Sequence, residues 1–321
     1  MLSFFLTNTD AAESPISASL IFDTSAIGVS TGYQSVSRTL TSVNYQQDFL
    51  LAGGTLTPQI NYALFRGANG STIAQDVQGF SNIDAPVFSR FQEVAIQWQT
   101  TRGMFRVGQL DANANFVALT HAAQFMNSSF GFSPTAYPLA TYPQMTKGLY
   151  LEYWVSHKIK MSYGYYAPAK DSGFTDKKPL MIVSACWLCS NELSVKVGYW
   201  QINNPQITRV RGAFLFAEGK LNEQLSGFAL VSSNNHVRHD KINQHIKFGV
   251  TFDNPFAQLG QQIGIAYSRV NGPEAETVIE AFYVYPLNQY VYLQPDVQWH
   301  KDALTHAVDP LISTLRVVIT W

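Results

Sequence analysis

The segment Arg316-Val-Val-Ile-Thr-Trp321 ends the chain and decides how the rest of the sequence is interpreted. Alternation along a strand gives it one apolar face that finishes on an aromatic residue, formed by Leu315, Val317, Ile319 and Trp321. The opposite face carries Arg316, Val318 and Thr320. A last strand of this kind is typical of closed antiparallel transmembrane barrels. The segment therefore predicts an all-β fold in which one sheet closes on itself.

The composition of the chain limits the classes of protein it can belong to. Of 321 residues, 46% are hydrophobic and only 13% are charged, which is about half the charged fraction of an average soluble domain. No apolar run approaches the roughly 18 residues that a membrane-spanning helix needs, so strands would make any crossing. The net charge of −1 argues against nucleic acid as a partner, because phosphate binding requires a basic surplus.

Segments of about ten residues with alternating polarity recur along the chain, separated by Gly, Asn, Asp and Pro clusters. They predict about 16 strands, an even number that is typical of bacterial single-chain barrels. The second face of these strands is rich in Gly, Ser and Gln, which we interpret as the wall of a water-filled lumen. No linker divides the sequence, so residues 1–321 are predicted to form a single barrel domain.

The segment 111–141 interrupts the alternation. It is rich in Ala and Asn and places Phe116, Leu119, Ala123 and Met126 at helix-like spacing. Connections of about 30 residues are usually functional. We predict a helical or irregular segment that folds into the lumen and narrows it, here called the constriction segment. An ordinary surface helix is the alternative.

Cys186 and Cys189 form the only Cys-x-x-Cys motif of the chain. A zinc site would need two further ligands, and neither a second such motif nor a His pair at metal spacing accompanies this one. We therefore predict a local disulfide or two free thiols, and neither a metal nor a cofactor.

The N-terminal Met1-Leu-Ser-Phe-Phe-Leu6 bears on secretion. An outer-membrane protein needs a cleavable signal with a basic start and a longer apolar stretch, and this segment has neither. We expect that the true start lies upstream or that the chain has been trimmed. The upstream reading frame would decide between the two.

Three blocks of sequence carry a family resemblance. The first runs from Phe105-Arg-Val-Gly-Gln-Leu-Asp111 through 124–131 to Tyr142-Pro143. The second is 211–218 and the third is 276–298. In this order and spacing they resemble the carbohydrate-selective porin family (OprB-like), with Gln109 standing where the family commonly has a basic residue. The resemblance runs from about residue 50 to the C-terminus.

This resemblance implies a 16-stranded barrel in the outer membrane of a Gram-negative bacterium, passing carbohydrates by passive diffusion. Its partners would be small neutral sugars and outer-membrane lipid, with a homotrimer possible. The alternatives are a nonspecific general-diffusion porin and, as a minor one, an outer-membrane hydrolase. A soluble lectin-like sandwich is disfavoured, because it would leave outward tyrosines such as Tyr153 and Tyr199 exposed, whereas aromatic girdles explain them.

Parity assigns ten charged side chains to the inner face, six positive and four negative: Glu93, Arg106, Glu152, Lys160, Lys196, Arg211, Lys247, Glu280, Asp296 and Arg316. A wall of one sign would select ions, whereas a mixed wall suits a neutral polyhydroxylated solute. Inward Trp154, Trp200 and Tyr292 could supply rings for stacking. At each charged position, a pair that only rigidifies the wall is the alternative.

Arg106 is the first candidate for the constriction, because it precedes the constriction segment by only a few residues. Asp111 and Asn127 come next, at the start and in the middle of that segment. The predicted pore-lining or solute-contacting set is Arg106, Asp111, Asn127, Glu93, Glu152, Trp154, Lys196, Trp200, Arg211 and Glu280.

Catalysis would require a nucleophile, a base and an orienting group. His121 lies near Ser128 and Ser129 in the sequence, but no Gly-x-Ser-x-Gly turn presents a nucleophile. We therefore predict no catalytic residue and no enzymatic activity.

Overall fold

The computed structural model describes residues 14–29, 32–169, 179–189, 193–202, 210–235, 242–256, 258–272, 275–301 and 311–321. Met1 to Leu6 lie outside the described residues. The strands in the described part of the chain are β1 Ile16–Val29, β2 Gly32–Gln46, β3 Phe49–Leu51, β4 Gly54–Gly67, β5 Phe88–Gln99, β6 Gly103–Leu110, β7 Thr146–Trp154, β8 Ile159–Tyr166, β9 Leu180–Trp187, β10 Leu193–Ile202, β11 Val210–Lys220, β12 Leu225–Asn234, β13 Gln244–Asp253, β14 Gln262–Asn271, β15 Glu276–Pro286, β16 Val291–Lys301 and β17 Leu311–Thr320.

These strands form one closed antiparallel sheet. The last strand, β17, pairs with β1 over a register that runs from Ser19 opposite Thr320 to Ile27 opposite Ile312. The three-residue β3 is a short arm on β4, and β2 pairs directly with β4. Sixteen of the described strands therefore close the barrel. The predicted all-β barrel of about 16 strands is confirmed, and a two-sheet sandwich is excluded.

The two rims of the barrel differ. At one rim Ala18 and Trp321 exchange backbone hydrogen bonds, from Ala18 N to Trp321 O at 2.8 Å and from Trp321 N to Ala18 O at 3.0 Å. The turns 100–102, 155–158, 221–224 and 287–290 lie at this rim, which we call the short-turn rim. The connections 68–87 and 111–145 leave the opposite rim. Short turns at one rim and longer loops at the other are typical of outer-membrane barrels.

The outer face carries the apolar rows that alternation predicts. Large apolar side chains are exposed along most strands, among them Leu215, Val231, Phe248, Ile265 and Leu315. Tyr153 and Tyr199 also face outward. An exposed apolar belt this extensive is stable only when lipid covers it.

The inside of the barrel is filled more than the sequence predicts. The segments 68–87 and 111–145 both fold inward, and together we call them the plug. Phe116, Phe125 and Phe130 of the plug pack with rings of the barrel wall in one buried cluster, which includes Trp200, Phe214, Phe216, Phe228 and Phe282. The ring centroids of Phe125 and Phe282 are 4.8 Å apart. This part of the lumen is therefore a packed apolar core.

The small residues of the inner face make room for these rings. A Cβ atom on Gly249 would lie 2.6 Å from the Phe228 ring and 2.6 Å from Ala266 Cβ. Gly264 is similarly crowded by the rings of Phe282 and Phe125. The interpretation of inner glycines as the mark of an open lumen was therefore wrong in this region, because packed rings require the same small residues.

The 111–145 part of the plug consists of short helical turns. They are α2 Ala112–Phe116, the 3-10 turn Thr120–Ala122, α3 Ser128–Gly131 and the 3-10 turn Pro134–Ala136. The predicted helical or irregular segment inside the barrel is thus present, and the alternative of an ordinary surface helix is excluded by its burial. None of the helices in the described ranges is long and apolar enough to cross a membrane.

The 68–87 part of the plug contains only one helical turn, α1 Ser71–Ala74. Sequence reasoning missed this insertion, because its Gly, Asn, Ser and Asp residues are those of any surface loop.

Candidate functional site: the lumen wall and its plug

Two buried wall charges hold the backbone of the plug around α3. Glu280 on β15 accepts hydrogen bonds from Met126 N and, at 2.9 Å, from Asn127 N. Lys247 on β13 donates to Ser129 O at 2.9 Å, Phe130 O at 2.7 Å and Phe132 O at 3.3 Å. The carboxylate therefore satisfies amides before the helical turn, and the ammonium satisfies carbonyls within the turn and just after it, as backbone polarity requires.

Other wall side chains repeat this arrangement on both plug segments. Glu276 accepts from Val77 N at 3.1 Å and Gln78 N at 2.8 Å. Glu218 accepts from His121 N at 3.0 Å. Gln298 donates to Phe80 O at 2.8 Å and Gln294 donates to Gln124 O at 2.7 Å. Many of the polar groups on the inner face thus satisfy plug backbone, which has no sheet partner of its own.

A buried ion network lies at the seam where the barrel closes. Arg316 donates to both carboxylate oxygens of its register partner Asp23, from Nε at 2.7 Å and from Nη2 at 2.8 Å. Arg38 Nε lies 2.8 Å from Asp84 Oδ1 of the plug. Arg316 also donates to Asn82 Oδ1 at 2.9 Å. Arg316 therefore forms an ion pair that rigidifies the wall, which was the predicted alternative to contact with a solute.

Arg106 on β6 joins the wall to the start of the plug. Its guanidinium is paired with Glu93 and donates to Asn115 Oδ1 at 2.9 Å and Gln59 Oε1 at 2.8 Å. The Arg106 side chain is 13% exposed. Polar residues of β2, β4 and β5 continue the inner face beside it, among them Asn44, Asn61, Gln97 and Gln99.

A second charged group is partly open on β7, β8 and β10. Lys160 Nζ lies 2.9 Å from Glu152 Oε2 and 5.4 Å from the centre of the Trp154 ring. Lys196 Nζ donates to Phe116 O at 3.3 Å. With Arg106 and Glu93, these residues form an inner wall whose two ion pairs each combine a positive and a negative group. We call Arg106, Glu152, Trp154, Lys160 and Lys196 the open wall set, whereas Glu93, the partner of Arg106, is buried.

The remaining predicted site residues are corrected by the structure. Arg211 is exposed on the outer face, because the inner face of β11 consists of Val210, Gly212, Phe214 and Phe216. The sequence analysis assigned the polar Arg211 to the inner face, and this assignment was wrong because the inner face of β11 is apolar.

Like Glu93, four further predicted residues are buried, so no solute reaches them: Asp111, Asn127, Trp200 and Glu280. Asp111 Oδ1 caps α2 by accepting from Ala114 N at 2.9 Å. Asn127 Oδ1 accepts from Ser129 N at 3.0 Å. Trp200 packs edge-on against Tyr137, with ring centroids 6.2 Å apart. Their roles are structural, because they hold or bury the plug.

The residues considered for catalysis lie inside the packed part of the barrel. Ser128 Oγ donates to Ser81 O at 3.2 Å, and no described contact joins it to His121. A Ser–His contact that sequence reasoning missed joins Ser133 Oγ to His245 Nδ1 at 3.0 Å. Both residues are buried, so this contact fixes the plug to β13. No group of three potential metal ligands occurs in the described ranges.

The Cys-x-x-Cys motif lies at the end of β9. Cys186 and Cys189 form a disulfide, which decides between the two predicted states of the motif.

Comparison with known proteins places this architecture in a class. No family model and no curated protein matches the chain. Solved structures do match over nearly its whole length, and their common fold is the porin barrel. A Rhodopseudomonas blastica porin mutant covers 95% of this chain and 100% of its own, with a TM-score of 0.65 and 14% identity.

The OprB of Pseudomonas putida is also similar. It covers 95% of this chain and 94% of its own, with a TM-score of 0.79 and 13% identity. The protein therefore has the porin-barrel fold, and the OprB-like resemblance of its sequence extends to that fold.

Proposed function

We propose that the protein is a bacterial outer-membrane porin that lets small neutral solutes, carbohydrates among them, diffuse passively. The observation that carries this proposal is the closed barrel whose outer face is an apolar belt and whose inner face keeps an open wall set of mixed charge. The porin-barrel fold shared with OprB of P. putida supports it. The proposal is a channel without catalytic chemistry.

The open wall set suits neutral solutes for an electrostatic reason. Each charge of the Arg106–Glu93 and Lys160–Glu152 pairs lies beside its opposite, and Lys196 adds a single positive charge, so the wall has no strong field of one sign that would select ions. The same groups offer hydrogen-bond donors and acceptors to sugar hydroxyls. Contacts of this kind replace part of the hydration of the solute, yet stay weak enough for release.

The plug sets the narrowest part of the path in this proposal. The wall residues Glu280, Lys247 and Glu276 bind the plug backbone directly, so these contacts fix the position of the plug in the lumen. The constriction segment 111–141 thus acts together with 68–87. A homotrimer is a further expectation from the resemblance.

Liposome swelling tests the proposal. Refolded protein in liposomes should admit glucose faster than a charged amino acid of similar size, because each charged pair is already neutralised. Equal rates for glucose and the amino acid would favour the nonspecific general-diffusion porin. Correctly folded protein that admits no solute would refute the channel itself.

A further inference from the structure

A cleft of about 620 Å³ lies on the short-turn rim between two neighbouring turns. Its walls include Thr101 and Arg102 from the turn 100–102, and Ser156 and His157 from the turn 155–158. Trp154 N donates to Arg102 O at 2.8 Å and ties the two turns together. The site is separate from the open wall set, except at Trp154.

The cleft is preformed by hydrogen bonds within each turn. Thr100 Oγ1 accepts from Gly103 N at 3.1 Å. Ser156 Oγ accepts from Lys158 N at 3.3 Å and Ile159 N at 3.2 Å. Hydroxyl side chains that bind backbone amides in this way hold a turn in one conformation. A ligand that enters the cleft therefore has little loop ordering to offset.

One side of the cleft is apolar and continues the outer face of the barrel. Tyr153 is 52% and Val155 55% exposed, and both line the cleft. Leu151 and Ile159, which are also exposed, extend the same apolar surface along β7 and β8. An occupant can thus keep an apolar part on the lipid-facing surface while its polar part enters the cleft.

The other side is basic. Arg102 and His157 line the cleft, and Lys158 follows His157 in the same turn. The ion pairs among the described residues include neither Arg102 nor Lys158. Among the described residues that line the cleft there is no carboxylate. Arginine binds phosphate through paired hydrogen bonds, and basic residues at a membrane surface attract anionic headgroups.

We propose that this cleft binds the phosphate-bearing headgroup of a phospholipid in the leaflet around the short-turn rim. The phosphate is bound by Arg102 and His157, and an acyl chain lies along Tyr153 and Val155. The proposal rests on the membrane location in the proposed function. A sugar fits less well, because the Lys160 ammonium already lies over the Trp154 ring and the cleft extends onto the outer face.

The test uses the refolded full chain in a nonionic detergent and native mass spectrometry. The probes are dihexanoyl phosphatidylglycerol, dihexanoylglycerol without phosphate, inorganic phosphate and glucose. We expect phosphatidylglycerol to bind more tightly than the other three. Binding of inorganic phosphate or dihexanoylglycerol as tight as that of phosphatidylglycerol would overturn the lipid assignment, and tighter binding of glucose would make the cleft a sugar site.

Variants locate the site. Arg102→Gln should weaken phosphatidylglycerol binding about tenfold, and His157→Gln should weaken it by a smaller factor, because charge-assisted hydrogen bonds are lost. The matched control is Lys220→Gln, which removes an exposed positive charge elsewhere on the short-turn rim and should change nothing. Unchanged binding in both Arg102→Gln and His157→Gln would refute the proposal.

Liposome swelling by the same variants separates this proposal from the proposed function. Arg102→Gln should admit glucose at the wild-type rate, since it lies outside the open wall set. Wild-type protein that binds the lipid yet admits no solute would refute the proposed porin function and support lipid binding in the cleft. Normal swelling without lipid binding would refute lipid binding in the cleft and leave the porin function standing.

Discussion

Removal of the Glu280 carboxylate should release the plug while leaving the barrel closed. In Glu280→Ala the amides of Met126 and Asn127 lose their acceptor inside a buried region. A buried amide that loses its acceptor costs about 1–3 kcal/mol, so the two amides place the cost at about 2–6 kcal/mol. Asp296 lies beside Glu280, so the variant also separates two buried carboxyl groups, which favours the lower end of that range.

This cost falls on the plug and not on the wall. The strand carrying Glu280 keeps its backbone pairing with β14 and β16, because those hydrogen bonds do not involve the side chain. The segment 111–145 has no such pairing and depends on the wall side chains that bind it. We therefore expect a folded barrel whose plug leaves the lumen for part of the time.

Single-channel recording and limited proteolysis measure this outcome. Glu280→Ala should show larger and noisier conductance than wild type, and protease should cut within 111–145. The matched control is Glu223→Ala, which removes an exposed carboxylate from the turn 221–224 and should behave as wild type. Glu280→Ala with wild-type conductance and an uncut 111–145 would refute the inference that this carboxylate holds the plug.

Three further predictions concern the constriction, the plug and the packed core. Arg106→Gln removes a partly exposed positive charge from the inner wall and leaves Glu93 without its partner, so the K⁺/Cl⁻ permeability ratio from reversal potentials should rise roughly fivefold, the Boltzmann factor of about 1 kcal/mol; an unchanged ratio would contradict an open position for Arg106. Burial raises the pKa of Asp76 in the plug to about 7 from 3.8. Because the folded state then retains a proton that the unfolded state has released, stability should fall as pH rises, by about 1.4 kcal/mol between pH 6 and pH 8. Thermal unfolding of Asp76→Asn should lose this pH dependence, and an identical slope in the variant would show that another group titrates. Gly249→Ala should lower stability by about 1–3 kcal/mol in denaturant unfolding, because its Cβ would meet Phe228 and Ala266 at 2.6 Å. Gly227→Ala is the control, since the nearest atom there is 3.4 Å away, and equal losses in both would contradict the packing argument.

The fold follows from the sequence because its signal is local. In a strand, successive side chains point to opposite faces. The apolar face formed by Leu315, Val317 and Ile319 can therefore be identified from this segment alone. Repetition of this pattern in about 16 segments leaves a closed sheet as the arrangement without free edges. The orientation of Glu93, Arg106, Glu152 and Lys196 was predicted correctly by the same parity.

Parity failed where the inner face is itself apolar. On β11 the inward residues include Phe214 and Phe216, so the polar Arg211 lies outside. Nothing in the strand alone distinguishes the two faces when rings line one and aliphatic residues the other. The aromatic plug that makes the inner face apolar comes from a distant part of the chain.

The sequence by itself determined a barrel with a lipid-facing exterior, since the alternation of side chains needs only neighbouring residues. Only the tertiary structure decided which inner residues stay open to a solute. Trp200 and Glu280 point inward as parity requires, yet the plug buries them, and Asp111 and Asn127 are buried within the plug itself. Arg106 and Glu152 stay partly open, because the plug contacts the wall there without covering it. Accessibility inside a tube depends on contacts between segments more than a hundred residues apart, as between Glu280 and Asn127, and no local pattern contains them.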